Sequence, residues 1–123
     1  MFCGWARLVV CGLLLLTWNQ AIGQDANEEL TNKAIMKEAH KKPKDLLKKV
    51  VLGGDATKED KQRLLQLYTA LAANTPTKGD AASWKEKTDL LVTAAQAIVD
   101  GKEGAVDQMT KAANCMACHE VHK

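Results

Sequence analysis

Residues 113–123 read Ala-Asn-Cys-Met-Ala-Cys-His-Glu-Val-His-Lys, and their C-x-x-C-H run constrains the chemistry of the chain more than any other segment. On a helix, positions i, i+3 and i+4 lie on one face, so Cys115, Cys118 and His119 would project together. This spacing is the attachment signature of haem c: two thiols form thioethers with the porphyrin and the imidazole binds the iron. The run therefore predicts one covalent haem, with His119 as its proximal iron ligand.

Three other uses of the cysteines stay open. A thioredoxin-like dithiol needs a strand before the motif, and the chain shows no alternating strand pattern. A disulfide between positions i and i+3 is the second use. The third is a zinc site, whose ligands would be Cys115, Cys118, His122 and His40. Its ligands are spaced more tightly than those of zinc fingers, and His122 is otherwise expected to be solvent-exposed.

The N-terminal residues have the pattern of a secretory signal peptide. Arg7 provides a positive charge, residues 8–16 are apolar, and Ala21-Ile22-Gly23 places small residues before a cut at Gln24. The apolar stretch is short for a membrane span, although an uncleaved anchor is the alternative. We therefore expect a signal at 1–23, a single haem-binding domain at 24–123, a periplasmic location and no stable membrane span in the mature chain.

The charge balance excludes one class of partner and suggests another. The chain has 17 Lys and Arg against 15 Asp and Glu, without the large basic excess of nucleic-acid-binding domains. Six lysines nevertheless crowd one segment: Lys37, Lys41, Lys42, Lys44, Lys48 and Lys49. This segment is either a solvated helix face or a docking surface for acidic redox proteins that donate or accept electrons.

Apolar residues recur at helical spacing through the rest of the chain. A first helix is predicted from near Asn27 and is interrupted at Pro43, and a second piece over 44–52 ends at Gly53-Gly54. The next helix opens at Thr57, where Asp60 completes an imperfect capping box.

Two more helices follow a loop predicted at 74–82. The first opens with Ser83 and Glu86 as a capping box and ends at Asp100-Gly101. The last starts near Glu103 and runs unbroken into the cysteine motif. Short loops make successive helices antiparallel neighbours, so the predicted fold is all-α: an up-down four-helix bundle with haem c near the end of the last helix.

In this layout the chain resembles class II c-type cytochromes, the cytochrome c′ and cytochrome c-556 group. The resemblance covers the whole mature chain in layout, and class I cytochromes differ because their motif lies near the N-terminus. At sequence level it rests on residues 113–119, on Ser83-Trp84 and on Ala34-Ile35-Met36-Lys37. The chain departs from the family in being short and in ending before the basic or aromatic residue that often follows the motif.

The resemblance implies a role for the first helix. Low-spin members use a methionine there as the sixth iron ligand, and Met36 falls on that stretch. His40, one turn later, is a rival ligand. The alternative interpretation of Met36 is an ordinary core residue, since methionine fills irregular gaps well. High-spin members leave the iron five-coordinate and bind NO or CO. Members also dimerise through their first two helices, which implies a homodimer here.

The predicted function is one-electron transport. No nucleophile pair or acid–base dyad appears in the sequence, so an enzyme is not indicated. A five-coordinate NO- or CO-binding protein is the first alternative, and a haem-free helical module with a disulfide or zinc is the second. Lys33 and Lys111 are candidates for approaching the haem propionates.

Overall fold

A computed structural model describes residues 30–123, so the predicted signal peptide lies outside the described residues. The described part is all-helical, as predicted, and contains no strand. No helix within it has both the length and the apolar character needed to cross a bilayer. The helices are α1 (Asn32–His40), α2 (Leu46–Leu52), α3 (Lys58–Ala73), α4 (Ala81–Val99), α5 (Ala105–Ala112) and α6 (Cys115–His122).

The break at Pro43 is confirmed and separates α1 from α2. The predicted start of α1 near Asn27 is wrong, because Leu30 and Thr31 are not helical. Thr31 is the N-cap instead, and its side-chain oxygen accepts a hydrogen bond from Ala34 N at 3.2 Å. Such a cap satisfies an otherwise unpaired N–H of the first turn.

The start of α3 confirms the predicted capping box in full. Thr57 Oγ1 accepts from Asp60 N at 3.1 Å, and Thr57 N donates to Asp60 Oδ2, also at 3.1 Å. At the start of α4, the capping box predicted at Ser83 and Glu86 is wrong. Asp80 caps this helix by accepting from Ser83 N at 3.0 Å, so Ser83 already lies inside the first turn. Asp is as good an N-cap as Ser, and Asp80, which comes first in the chain, is the residue that caps α4.

The predicted fourth helix is two helices, which is a second correction. The chain leaves the α conformation at Ala113 and Asn114. The Asn114 side chain then accepts from Ala117 N at 3.2 Å and caps α6. The cysteine motif therefore opens a new short helix instead of continuing the preceding one.

The helices pack around a single core to which α1 to α5 all contribute. The most extensive helix contact is between α3 and α4, followed by that between α4 and α5. The largest fully buried side chains are Tyr68, Ile35, Leu64, Leu67, Leu71, Met109 and Thr88. Asn74, which follows α3, links the segment before α1 to α4. Its Nδ2 donates to Leu30 O at 2.7 Å, and its backbone carbonyl accepts from Trp84 Nε1 at 2.8 Å.

A bidentate ion pair links α1 to α3. Arg63 Nε and Nη2 donate to the two carboxylate oxygens of Glu38 at 2.9 and 3.0 Å, and Lys44 adds a third contact at 3.2 Å. The Glu38 side chain is 17% exposed. The Arg63 guanidinium is the main reason that the pKa of Glu38 falls from 4.5 to about 2.

We expect Glu38→Gln to lower the free energy of unfolding at pH 7 by about 1–2 kcal/mol, a value reduced for the partial exposure of Arg63. Because the folded pKa is depressed, the stabilisation is complete above the ordinary pKa and is lost as the pH falls toward 2. Urea unfolding at several pH values should therefore show wild type and variant converging in acid. Glu59→Gln, on an exposed residue of α3, is the matched control. An equal loss in that variant, or a pH-independent difference, would contradict the assignment.

Candidate cofactor site

A cavity of about 210 Å³ lies where α1 and α4 face the corner between α5 and α6. The five residues predicted to attach the haem or to bind its iron all line it: Met36, His40, Cys115, Cys118 and His119. Its remaining walls come from Leu71, Lys87, Leu90, Leu91 and residues 111–114 and 117. Residues nearly eighty positions apart in the sequence therefore meet around one space.

The C-x-x-C-H run forms the first turns of α6. Cys115 and Cys118 carry free thiols; Cys115 is exposed and Cys118 is partly buried against the core. Burial raises the pKa of the Cys118 thiol, and the Lys87 ammonium partly offsets that rise. His119 is exposed, and no other side chain of residues 30–123 hydrogen-bonds to its ring. Two thiols and one uncommitted imidazole thus lie on the same wall.

Helix α1 provides the other sulfur and imidazole of the cavity. Met36 and His40 are one helical turn apart and are both partly buried. His40 Nε2 lies 2.9 Å from the hydroxyl of Tyr68, and the two ring centroids are 5.9 Å apart. Burial lowers the pKa of His40, and the Asp45 carboxylate partly offsets this effect. His40 therefore already has a polar partner, whereas the Met36 thioether has none among the described residues.

Helix α4 contributes a wall that sequence reasoning missed. Lys87, Leu90 and Leu91 follow the i, i+3, i+4 spacing and lie on one face of the helix. Leu90 is 53% exposed although it is strongly apolar. Of the two lysines considered for propionates, Lys111 lines the cavity and Lys33 does not. The helical periodicity of α4 predicts that Lys87, Leu90 and Leu91 share a face, but it could not show that this face lies toward α6.

His122 is buried, so the prediction that it would be exposed is wrong. Only 4% of its surface is accessible. Nδ1 donates to Lys78 O at 3.0 Å, Ser83 Oγ lies 3.2 Å from Nε2, and the ring packs edge-on against Trp84. Both ring nitrogens are engaged away from the cavity, which removes His122 from the suggested zinc ligand set. Within residues 30–123 no three His, Cys, Asp or Glu side chains come together to hold a metal ion.

Gly79 makes this contact possible. Its φ of +89° lies in the left-handed region that favours glycine. A Cβ at this position would lie 2.6 Å from Val121 O and 2.7 Å from His122 Nδ1. The loop between α3 and α4 can therefore approach the last turn of α6 only with glycine at this position. The loop and His122 together fix the end of the helix that carries the cysteine motif.

Comparison with models of protein families, with characterised proteins and with solved structures finds no match for this chain.

Proposed function

We propose that the protein is an exported monohaem c-type cytochrome of the class II kind that carries single electrons. One observation carries the proposal: Cys115, Cys118 and His119 line one largely apolar cavity together with Met36. The donor set fits haem c, because two thiols, an imidazole and a thioether are the groups that attach and ligate such a haem. The exposed apolar surface of Leu90 supports the same reading, since a bound macrocycle would cover it.

The helix contacts support the bundle layout of this class. Asn74, at the end of α3, binds the segment before α1, and Lys49 of α2 pairs with Asp60 near the start of α3 at 3.8 Å. In this proposal α1 and α2 together form one arm antiparallel to α3. Helices α5 and α6 form the arm antiparallel to α4, since Ala105 and Ile98 line one hollow at the α4–α5 turn and His122 meets Ser83. The six helices then constitute four arms.

Each side chain has a defined task in this proposal. Cys115 and Cys118 would hold the haem covalently, each by addition of its S–H bond across a vinyl group, which needs no leaving group. His119 and Met36 would hold the haem iron through an imidazole nitrogen and a thioether sulfur. When bound, haem supplies the Fe(III)/Fe(II) couple. The leucines of the cavity exclude water, and a methionine ligand favours the reduced state.

The basic segment supports docking of an acidic redox protein next to the site. Leu52 is 75% exposed beside Lys42, Lys44 and Lys48. The lining of a second groove includes Lys48, Leu52 and Cys115. A partner seated on α2 would therefore lie beside an attachment cysteine.

We expect Lys48→Glu to slow oxidation of the ferrous protein by the ferricyanide anion several-fold at low ionic strength. The substitution weakens the electrostatic attraction that steers the anion to the basic segment. The difference should vanish at high salt, where the Debye length is only about 3 Å. Stopped-flow kinetics measures both rates. Lys102→Glu, on an exposed lysine of the α4–α5 turn, is the control. An equal slowing in the control would assign the effect to net charge alone.

The proposal as a whole is tested by expressing the full chain in a bacterium that attaches haem c to exported proteins. The denatured mature protein should have the mass of residues 24–123 plus one haem. Its ferrous spectrum should show the sharp α and β bands of a low-spin centre. A mass equal to the polypeptide alone would overturn the proposal, and broad high-spin bands would favour the NO- or CO-binding alternative.

A further inference from the structure

The cavity contains one candidate distal ligand more than a six-coordinate haem can use. Met36 and His40 both line it, together with His119. An imidazole is a strong ligand for haem iron, so His40 would compete with the Met36 thioether if its ring were uncommitted. Something in the fold must decide between them.

The structure contains a contact that restrains His40. Its Nε2 atom, the ring nitrogen that extends furthest from the backbone, lies 2.9 Å from Tyr68 Oη. Tyr68 belongs to α3 and is fully buried. Within residues 30–123, His40 is the only hydrogen-bond partner of that hydroxyl. If His40 swung onto an iron, the hydroxyl would be left buried without a partner, which is unfavourable.

Within residues 30–123, Met36 makes no hydrogen bond that would restrain it in this way. It is partly buried and packs against the core. Its side chain is unbranched and adapts its shape readily. To bind iron, His40 would have to break its hydrogen bond to Tyr68, whereas Met36 would only have to shift its packing against the core.

We propose that Tyr68 is a ligand-selecting residue, whose hydroxyl holds His40 away from the iron and leaves the distal position to Met36. This inference rests on the proposed function, because it presumes that haem is attached. Tyr68 touches neither the cofactor nor the reacting atoms in this scheme. It is a positioning residue that acts through His40.

Tyr68→Phe tests the inference in the full haem-loaded chain. The variant keeps the ring that fills the core and removes only the hydroxyl. We expect the ferric protein to lose the weak Met–iron charge-transfer band and to acquire the electron paramagnetic resonance signature of two histidine ligands. The reduction potential should fall, since a methionine ligand raises it. A Tyr68→Phe protein that keeps the wild-type methionine signature would overturn the inference.

Two matched variants separate selection from general disturbance. Tyr68→Phe/His40→Phe has the same missing hydroxyl but no competing imidazole, and it should regain the methionine signature. His40→Phe alone should have the same methionine signature as the wild type. If His40→Phe becomes high-spin, His40 was the native ligand and the inference fails, and it fails equally if the wild type has two histidine ligands or is high-spin. A chain without covalent haem instead refutes the proposed function, so the two failures are distinguishable by mass.

Discussion

A chain in which Cys115 and Cys118 are both replaced by serine is expected to be exported with the mass of the polypeptide alone. A serine hydroxyl does not add across a vinyl group, so neither thioether forms. Covalent haem should therefore fall from about one per chain to none, the largest change that any substitution in this protein should produce. Mass spectrometry of the denatured protein measures it directly. Cys115→Ser alone should retain the single thioether at Cys118.

Met116→Ala is the matched control, because Met116 lies inside the motif but is 65% exposed and does not line the cavity. It should attach a full complement of haem. Retention of covalent haem by the double serine variant would show that attachment does not use this motif. Loss of haem in Met116→Ala as well would point to a damaged helix and not to missing thiols.

The sequence alone was sufficient to place the candidate attachment residues on one wall, because the relation is local. Three residues at i, i+3 and i+4 share a face wherever the helix lies, and α6 is helical through all of them. The break before Cys115 was not predictable in this way. It depends on Asn114, a residue that serves equally well inside a loop or as a cap.

The burial of His122 illustrates what sequence patterns cannot show. Its partners Lys78 and Ser83 lie about forty residues away in the chain, and a position near the end of a sequence normally indicates exposure. The misplaced capping box has the same origin. Ser83 looked like a cap because Glu86 follows it, but Asp80 competed for the position and the Ser83 hydroxyl faces His122 instead.

The sequence could not decide between Met36 and His40 as the distal ligand for a related reason. Met36 and His40 share a face of α1, and helical spacing gives both the same access to the cavity. What distinguishes them is Tyr68, whose contact with His40 spans 28 positions. Only tertiary packing could show that one of the two side chains is already engaged.

Met36→Ala is the second substitution with a large expected effect: under the proposed function it should convert a low-spin haem centre to a high-spin, five-coordinate one. Alanine has no donor atom, and Tyr68 still restrains His40, so the distal side is left open. Carbon monoxide should then bind the ferrous protein readily, whereas it must displace a ligand in the wild type. The cost in folding free energy should be only about 1–2 kcal/mol, because Met36 is partly buried and lies at the edge of the core. Absorption spectra with and without carbon monoxide measure the conversion.

Met109→Leu provides the control for loss of a methionine, since Met109 is fully buried in the core and does not line the cavity. Its spectrum should match the wild type. An unchanged low-spin spectrum in Met36→Ala would refute ligation by Met36 and would leave His40 as the candidate. Combining Met36→Ala with Tyr68→Phe should restore a low-spin centre, because His40 is then released while its competitor is absent. The two substitutions are therefore expected to be strongly non-additive, as they act on one site through a shared neighbour.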